Sequence, residues 1–201
     1  MTKTAVIIGA NSDIAKSAMQ LLEDQYHIVA VGRETIDLDD PTSDMRIGMV
    51  LTMAEPDVIV NCAGVFDGDN TLDYDTVFNV NLKSNWSVIN YYIKNPPTKS
   101  VKFVMIGSSA YKQGRKNFIL YSASKAALFN MWQGASEFVS DSLKLGLINP
   151  VHVHTKMVAH RPHPNPDICL EPIDVAREIV NLCTMSQSRY IDMDYKIKET
   201  V

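Results

Sequence analysis

The residues best suited to proton transfer are a tyrosine and a lysine four positions apart. Tyr121 and Lys125 lie in a stretch predicted to be helical, where this spacing places both side chains on one face. A free tyrosine has a pKa of about 10, and a neighbouring ammonium would lower that pKa. The pair is therefore suited to donate or accept a proton, with Ser108 placed to hydrogen-bond a substrate carbonyl oxygen.

Chance alone accounts for many tyrosine–lysine pairs of this spacing. In a chain with 8 Tyr, about 0.5 such pairs are expected at random. Requiring a serine at the separation of Ser108 from Tyr121 lowers that expectation to about 0.04. The prediction therefore depends on the three residue types together.

A phosphate-binding turn is predicted where the first strand ends. Gly9 leaves that strand, and Asn11, Ser12 and Ile14 lead into a helix. A glycine here lets the backbone approach a diphosphate, which the first amides of the helix then face. The same residues also make an ordinary helix cap, so both interpretations stay open.

Two further strand ends indicate a dinucleotide. The second strand ends near Arg33, which would pair with the 2′-phosphate of NADP, whereas an acid would bind the free hydroxyl of NAD. The third ends at Asn61, followed by Ala63 and Gly64, small residues over which a dinucleotide can lie flat. We expect NADP(H), with NAD(H) possible. A solvated surface role for Arg33 and a structural role for Asn61 are the alternatives.

Short apolar runs alternate with helical stretches along the chain. The predicted strands are Ala5–Ile8, Ile28–Val31, Asp57–Asn61, Val101–Ile106, Leu145–Asn149 and Tyr190–Met193. The predicted helices are Asp13–Asp24, Ser43–Met53, Thr71–Ile93, Ile119–Leu143 and Pro172–Met185. This alternation predicts an α/β fold of the Rossmann type: a doubly wound parallel sheet in a single domain over residues 1–201.

The composition excludes several classes of protein. The 201 residues suit one well-buried domain, and the net charge of −4 comes without a basic stripe for nucleic acid. No apolar run reaches membrane-spanning length. Cys62, Cys169 and Cys183 are too widely spaced for a disulfide framework or a zinc pair. We expect a cytoplasmic protein with no nucleic-acid or membrane partner and no metal.

Taken in order, these motifs resemble those of the short-chain dehydrogenase/reductase family, in its compact single-domain branch. The resemblance runs from Gly9 to about Met157. It implies an NAD(P)(H)-dependent oxidoreductase that interconverts a carbonyl and an alcohol on a small-molecule substrate. Tyr121 would be the general acid/base, Ser108 would hold the substrate, and Lys125 would also hold the nicotinamide ribose.

The resemblance assigns further residues. Asn81, within Asn79-Val80-Asn81-Leu82, matches an active-site asparagine that in relatives holds a water between the lysine and solvent. The residues implied to contact the adenine or the nicotinamide are Asp37, Leu38, Pro150, Val153 and Thr155.

The chain departs from the family pattern at the turn after the first strand. Asp13 and Ala15 replace two of three glycines, Ile8 replaces the leading threonine, and Val151 replaces the glycine after Pro150. Asp13 puts a negative charge near the expected diphosphate, or it serves as a favourable early-turn acid of the helix. A non-catalytic dinucleotide-binding sensor or scaffold is therefore the alternative function.

A loop over the substrate is predicted at residues 156–171, which are rich in proline and lack any helical or strand period. In relatives a mobile flap occupies this position. His160, Arg161 and His163 would then meet a phosphate or carboxylate on a small polar substrate. An exposed proline-rich loop is the alternative interpretation.

Two helices carry apolar residues on more than one side. Trp86 and Tyr92 follow Asn81, and Trp132 and Phe138 follow Tyr121. Such helices are typical of subunit interfaces, and family members pair through these two. We expect a homodimer or homotetramer, with burial inside the same domain as the alternative.

Overall fold

One parallel sheet organises the molecule, for which a computed structural model describes residues 2–66, 68–161 and 163–195. Its strands are β1 Lys3–Ile8, β2 Tyr26–Val31, β3 Val58–Asn61, β4 Val101–Ile106, β5 Leu143–Pro150 and β6 Arg189–Met193. They lie in the order β2-β1-β3-β4-β5-β6. The order reverses between β1 and β3, and ligands of such sheets bind at the carboxyl ends beside this point. The predicted doubly wound fold is confirmed.

Helices cover both faces of the sheet. They are α1 Asp13–Leu22, α2 Ser43–Ala54, α3 Tyr74–Phe78, α4 Ser84–Lys94, α5 Ile119–Phe138 and α6 Pro172–Cys183, with a π-helical segment at Asn79–Lys83. Helices α1 and α6 bury apolar residues in the core on one face. Helices α2, α4 and α5 do so on the other.

The strands read as continuous apolar runs because both faces of the sheet are buried. Alternate residues of β1 enter opposite cores: Val6 and Ile8 pack with α2, α4 and α5. Ala5 and Ile7 pack with α1 and α6. The side-chain period of two along a strand therefore divides one sequence between two cores.

Two of the predicted helices differ most from the observed bounds, while the other three end within two residues of their predicted ends. The helix predicted at Thr71–Ile93 begins only at Tyr74, because the Asp73 side chain accepts the backbone N–H of Thr76 and caps it. The π-helical segment Asn79–Lys83, which contains Asn81, then interrupts the predicted helix. The helix predicted at Ile119–Leu143 ends at Phe138, since Val139 is extended and Leu143 already begins β5.

The short link between β2 and β3 contains one helix, α2, and β2 forms one edge of the sheet. Among the described residues, no helix has the length and apolar character needed to cross a membrane. Within the same ranges, no group of three or more His, Cys, Asp or Glu residues is arranged to hold a metal ion.

Candidate active site

A cleft of about 800 Å³ runs along the carboxyl ends of the strands, a volume typical of cofactor sites. Fifteen of the predicted site residues line it: Gly9, Asn11, Ser12, Ile14, Arg33, Asp37, Leu38, Ala63, Gly64, Ser108, Tyr121, Lys125, Pro150, Val153 and Thr155. Tyr121 and Lys125 lie on α5. The other residues lie at or after the carboxyl ends of strands β1 to β5. The fold thus brings the sequence motifs into one depression.

Strand β4 and helix α5 position the three residues suited to proton transfer. Ser108 follows β4, and its hydroxyl accepts the backbone N–H of Ala110, which fixes the turn. Lys125 is 4% exposed, and its ammonium donates to the carbonyl oxygen of Ile106 at 2.9 Å. It lies 5.7 Å from the centroid of the Tyr121 ring. The side chains of Ser108, Tyr121 and Lys125 therefore share one end of the cleft.

Burial sets the protonation of this group. It raises the pKa of Tyr121 above its usual value, and a hydrogen bond with Ser108 offsets only part of that rise. Burial also lowers the pKa of Lys125 to about 8. The lowered tyrosine pKa expected from the sequence is therefore wrong, because the cost of burying a phenolate exceeds the stabilisation that the Ser108 hydrogen bond gives it. A neutral phenol stands ready to donate a proton.

Asn81 lies behind the cleft instead of lining it. Its side chain is fully buried, accepting the backbone N–H of Val65 at 2.9 Å and donating to the Val65 carbonyl oxygen and the Ser124 hydroxyl, each at 3.0 Å. These bonds fasten the loop after β3 to α5. The side chain thus supports the walls of the site from within the π-helical segment that carries it.

Asn61 has a similar structural place, the alternative that its sequence context left open. Its side-chain oxygen accepts the backbone N–H of Ala63 at 3.0 Å. Its amide donates to the Ser84 hydroxyl and to Asn85, so the end of β3 is tied to α4. Asn61 is 1% exposed and is absent from the described lining of the cleft.

The turn after β1 requires its glycine. Gly9 has φ of +74°, and a Cβ there would collide with the backbone of Ala63. The Ser12 side chain then accepts the backbone N–H of Ala15 and caps α1. The same residues thus make a tight turn and a helix cap, and diphosphate binding at this turn stays a prediction.

Asp13, which stands where the family pattern has a glycine, makes a contact that the sequence did not reveal. Its carboxylate accepts the backbone N–H of Lys156 at 2.7 Å. Lys156 also lines the cleft and was missed, although it directly follows Thr155 in the sequence. A charged residue next to a predicted cofactor residue was the available signal.

The end of the cleft beside β2 carries charges of both signs. The Arg33 side chain is 72% exposed, and its Nε lies 3.8 Å from Asp37 Oδ1. Glu34 was not predicted; its carboxylate accepts the Asn11 amide at 2.9 Å. A hydrogen bond with its own backbone lowers the Glu34 pKa most, and the bond from Asn11 lowers it further. A carboxylate therefore stands beside Arg33.

Aromatic side chains that no motif predicted surround Tyr121. The Phe66 ring meets it edge-on with centroids 5.0 Å apart, and the Phe118 ring lies at 6.1 Å. Phe66 follows β3 and Phe118 precedes α5, so only the fold brings them together. They form an apolar wall beside the phenol.

The predicted substrate loop holds two short 3₁₀ turns, Lys156–Val158 and Pro166–Ile168. Arg161 pairs with Asp69 and lies over the Phe66 ring, so its charge is already partnered. His163 packs against His152 with ring centroids 5.5 Å apart. Arg161 and His163 line the cleft, so the loop forms part of its wall.

Residues 42–165, more than half of the chain, match the model described as short chain dehydrogenase. The protein belongs to the short-chain dehydrogenase family. It is accordingly an oxidoreductase of that family, as the sequence motifs predicted.

Two individual relatives of this short-chain dehydrogenase share less than 30% sequence identity with it. It is 27% identical over 184 residues to an uncharacterized oxidoreductase of Staphylococcus haemolyticus, covering 77% of this chain and 80% of that protein. It is 29% identical over 107 residues to the bifunctional ribulose 5-phosphate reductase/CDP-ribitol pyrophosphorylase Bcs1 of Haemophilus influenzae. That match covers 50% of this chain but 23% of the Haemophilus protein.

Solved structures share the fold of this short-chain dehydrogenase. ElxO with NADP bound superposes with a TM-score of 0.81 at 20% identity, covering 96% of this chain and 98% of that one. A short chain dehydrogenase from Burkholderia cenocepacia in complex with NADP gives a TM-score of 0.79 at 14% identity, covering 95% and 87% of the two chains. At these identities the likeness concerns the fold.

Proposed function

We propose that this chain is an NADP(H)-dependent oxidoreductase that interconverts a carbonyl and an alcohol, with Tyr121 as general acid/base. One observation carries the proposal: Ser108, Tyr121 and Lys125 line the same cleft as the Gly9 turn. A proton donor, a hydroxyl for the carbonyl oxygen and a diphosphate-binding turn thus share one depression. A sensor without turnover needs only the turn.

The cleft fits a nicotinamide dinucleotide. Gly9 and Ala63 approach so closely that no side chain fits between them, which leaves the floor of the turn as bare backbone. Asp37 and Leu38 would hold the adenine, and Pro150, Val153 and Thr155 the nicotinamide. When bound, the dinucleotide supplies or accepts the hydride at the substrate carbon.

Arg33 supports a preference for NADP(H) over NAD(H). Its side chain lines the cleft at the end of β2 and is exposed enough to reach a 2′-phosphate. ElxO and the Burkholderia dehydrogenase both hold NADP in their solved structures. The carboxylate of Glu34 beside Arg33 favours a free ribose hydroxyl, so NAD(H) remains the second cofactor to test.

Tyr121 gives its proton to the substrate oxygen during reduction. Its raised pKa keeps the phenol protonated at neutral pH, and Ser108 holds the carbonyl oxygen beside it. The Lys125 ammonium stabilises the phenolate that remains. Asn81 positions the loop after β3 from behind, and a water held there is the relay that the family resemblance implies.

The substrate is proposed to be small and polar. Phe66 and Phe118 pack beside Tyr121 in the cleft, and Arg115 is a charged residue of the same lining. The Haemophilus relative is named for the reduction of ribulose 5-phosphate, so phosphorylated sugars with a ketone are the first class to screen.

Replacing Tyr121 tests the proton donor. We expect Tyr121→Phe to reduce kcat by about 100-fold or more, since it removes the hydroxyl and keeps the ring. Affinity for NADPH should stay within about twofold of the parent, measured by nicotinamide fluorescence. Tyr74→Phe, at an exposed tyrosine on α3, is the matched control. Full turnover by Tyr121→Phe would refute the assignment, and binding of NADPH without turnover by any tested carbonyl would favour the sensor.

Replacing Arg33 tests cofactor choice. We expect Arg33→Ala to weaken NADPH binding about tenfold and to leave NADH binding unchanged, because only NADPH carries the 2′-phosphate. Fluorescence titration with both nucleotides measures this difference. Arg46→Ala, at an exposed arginine on α2 outside the described cleft, is the control. An unchanged ratio of the two affinities would contradict the role of Arg33.

A further inference from the structure

Contacts between Asp13 and Lys156 join the first helix to the loop after β5. Asp13 Oδ2 accepts the backbone N–H of Lys156 at 2.7 Å. The Lys156 ammonium donates to the carbonyl oxygen of Asn11 at 2.6 Å and lies 4.0 Å from Asp13 Oδ1. All three residues line the cleft, so the ammonium is held beside the turn that follows β1.

The Asp13 carboxylate creates an electrostatic problem at this turn. The N-terminus of α1 favours a diphosphate through its free amides and helix dipole. A carboxylate in the first turn repels the same anion, and it stands where the family pattern has a glycine. A diphosphate site here therefore needs a nearby cation to offset the extra negative charge.

Lys156 meets this need by geometry. Its side chain is 63% exposed, but two acceptors hold the ammonium at the turn: the Asn11 carbonyl oxygen and, more loosely, the Asp13 carboxylate. The backbone bond to Asp13 fixes the start of the 3₁₀ turn from which the side chain extends. The other lysine near this helix end, Lys16, is exposed and lies outside the described lining of the cleft.

We propose that Lys156 is a dinucleotide-binding residue of this chain, whose ammonium offsets the Asp13 charge and pairs with the cofactor diphosphate. The inference rests on the proposed function. It gives the charge that Asp13 brings to the turn a compensating residue that lies far away in sequence. Asp13 and Lys156 then act as a unit, and neither is expected to be neutral alone.

A double-mutant cycle on NADPH affinity tests this pairing. Lys156→Met keeps the backbone N–H and removes the charge. We therefore expect its affinity for NADPH to fall by about tenfold or more at low salt, as measured by fluorescence titration. Asp13→Asn keeps an acceptor for that N–H and removes the repulsion. The double variant should therefore recover most of the lost affinity. The loss in Lys156→Met should shrink at high salt, because the Lys156 side chain is 63% exposed and salt screens its charge.

Controls separate the possible outcomes. Lys16→Met removes the same charge from α1 and should bind NADPH like the parent, and thermal denaturation without nucleotide confirms that each variant is folded. If Lys156→Met also binds like the parent, or if Asp13→Asn fails to restore binding, the inference is refuted while the proposed function stands. If the parent itself binds neither NADPH nor NADH, both are refuted.

Discussion

Lys125 is a buried ammonium, and at the scale of single residues it carries a cost in stability. Burial lowers its pKa from 10.5 to about 8, so the folded protein holds this proton less tightly than the unfolded chain. Between these two values the unfolded state binds more protons, and stability therefore rises with pH. Below pH 8 the whole penalty applies.

We expect Lys125→Met to stabilise the protein at pH 7, by about 1 to 3 kcal/mol, since it removes the penalty but leaves the Ile106 carbonyl oxygen without its donor. The gain should decrease as pH rises from about 8 towards 10.5. Denaturant unfolding across this pH range measures it, with Lys16→Met as control. A variant less stable than its parent at every pH would show that Lys125 contributes more to packing than it costs in burial.

The turn between β1 and α1 shows how one element depends on one residue. Gly9 combines a positive φ with a close approach to Ala63, so both the backbone angle and the lack of space disfavour any Cβ. We expect Gly9→Ala to lower the free energy of unfolding by about 1 to 3 kcal/mol and to weaken NADPH binding. Chemical denaturation and fluorescence titration measure the two effects.

Gly134 supplies a control of opposite sign for that experiment. It lies within α5, is exposed, and has no heavy atom within 4 Å of an added Cβ among the described residues. We expect Gly134→Ala to stabilise the protein by about 0.5 to 1 kcal/mol, because alanine is the better helix former. If both substitutions changed stability alike, the positive φ of Gly9 would not be the cause of its effect.

At the scale of the whole molecule, part of the predicted subunit interface is already used inside the domain. Trp132 is 7% exposed and donates from Nε1 to the Leu145 carbonyl oxygen at 3.1 Å, and Tyr92 is 8% exposed. Trp86 and Phe138 are 43% and 71% exposed on α4 and α5. The homodimer or homotetramer thus stays a prediction, which depends on Trp86 and Phe138. The cytoplasmic location also stays a prediction.

Light scattering after size exclusion tests the predicted assembly. We expect the parent to elute as a dimer or tetramer and Trp86→Glu to shift it towards monomer, because a buried charge opposes association. Met53→Glu, at an exposed methionine on α2, should leave the assembly unchanged. A monomeric parent would contradict the prediction made from the family resemblance.

The sequence by itself determined the parts of this protein that depend on local order. The alternation of apolar runs predicts the sheet, because strands buried on both faces need such runs. The four-residue spacing of Tyr121 and Lys125 predicts one helix face, since helical geometry is local. Strand ends of a parallel sheet share one edge, so Gly9, Arg33 and Ser108 were expected in one cleft.

Only the tertiary structure decided the properties that depend on packing between distant segments. The Tyr121 pKa is raised and not lowered, because burial depends on everything around the ring. Asn81 is fully buried within a π-helical segment, and the sequence pattern around it signals neither feature. Asp13 and Lys156 are 143 residues apart, and no local rule pairs them. Local geometry repeats along a chain and can be predicted from it, whereas burial and charge pairing exist only once the chain has folded.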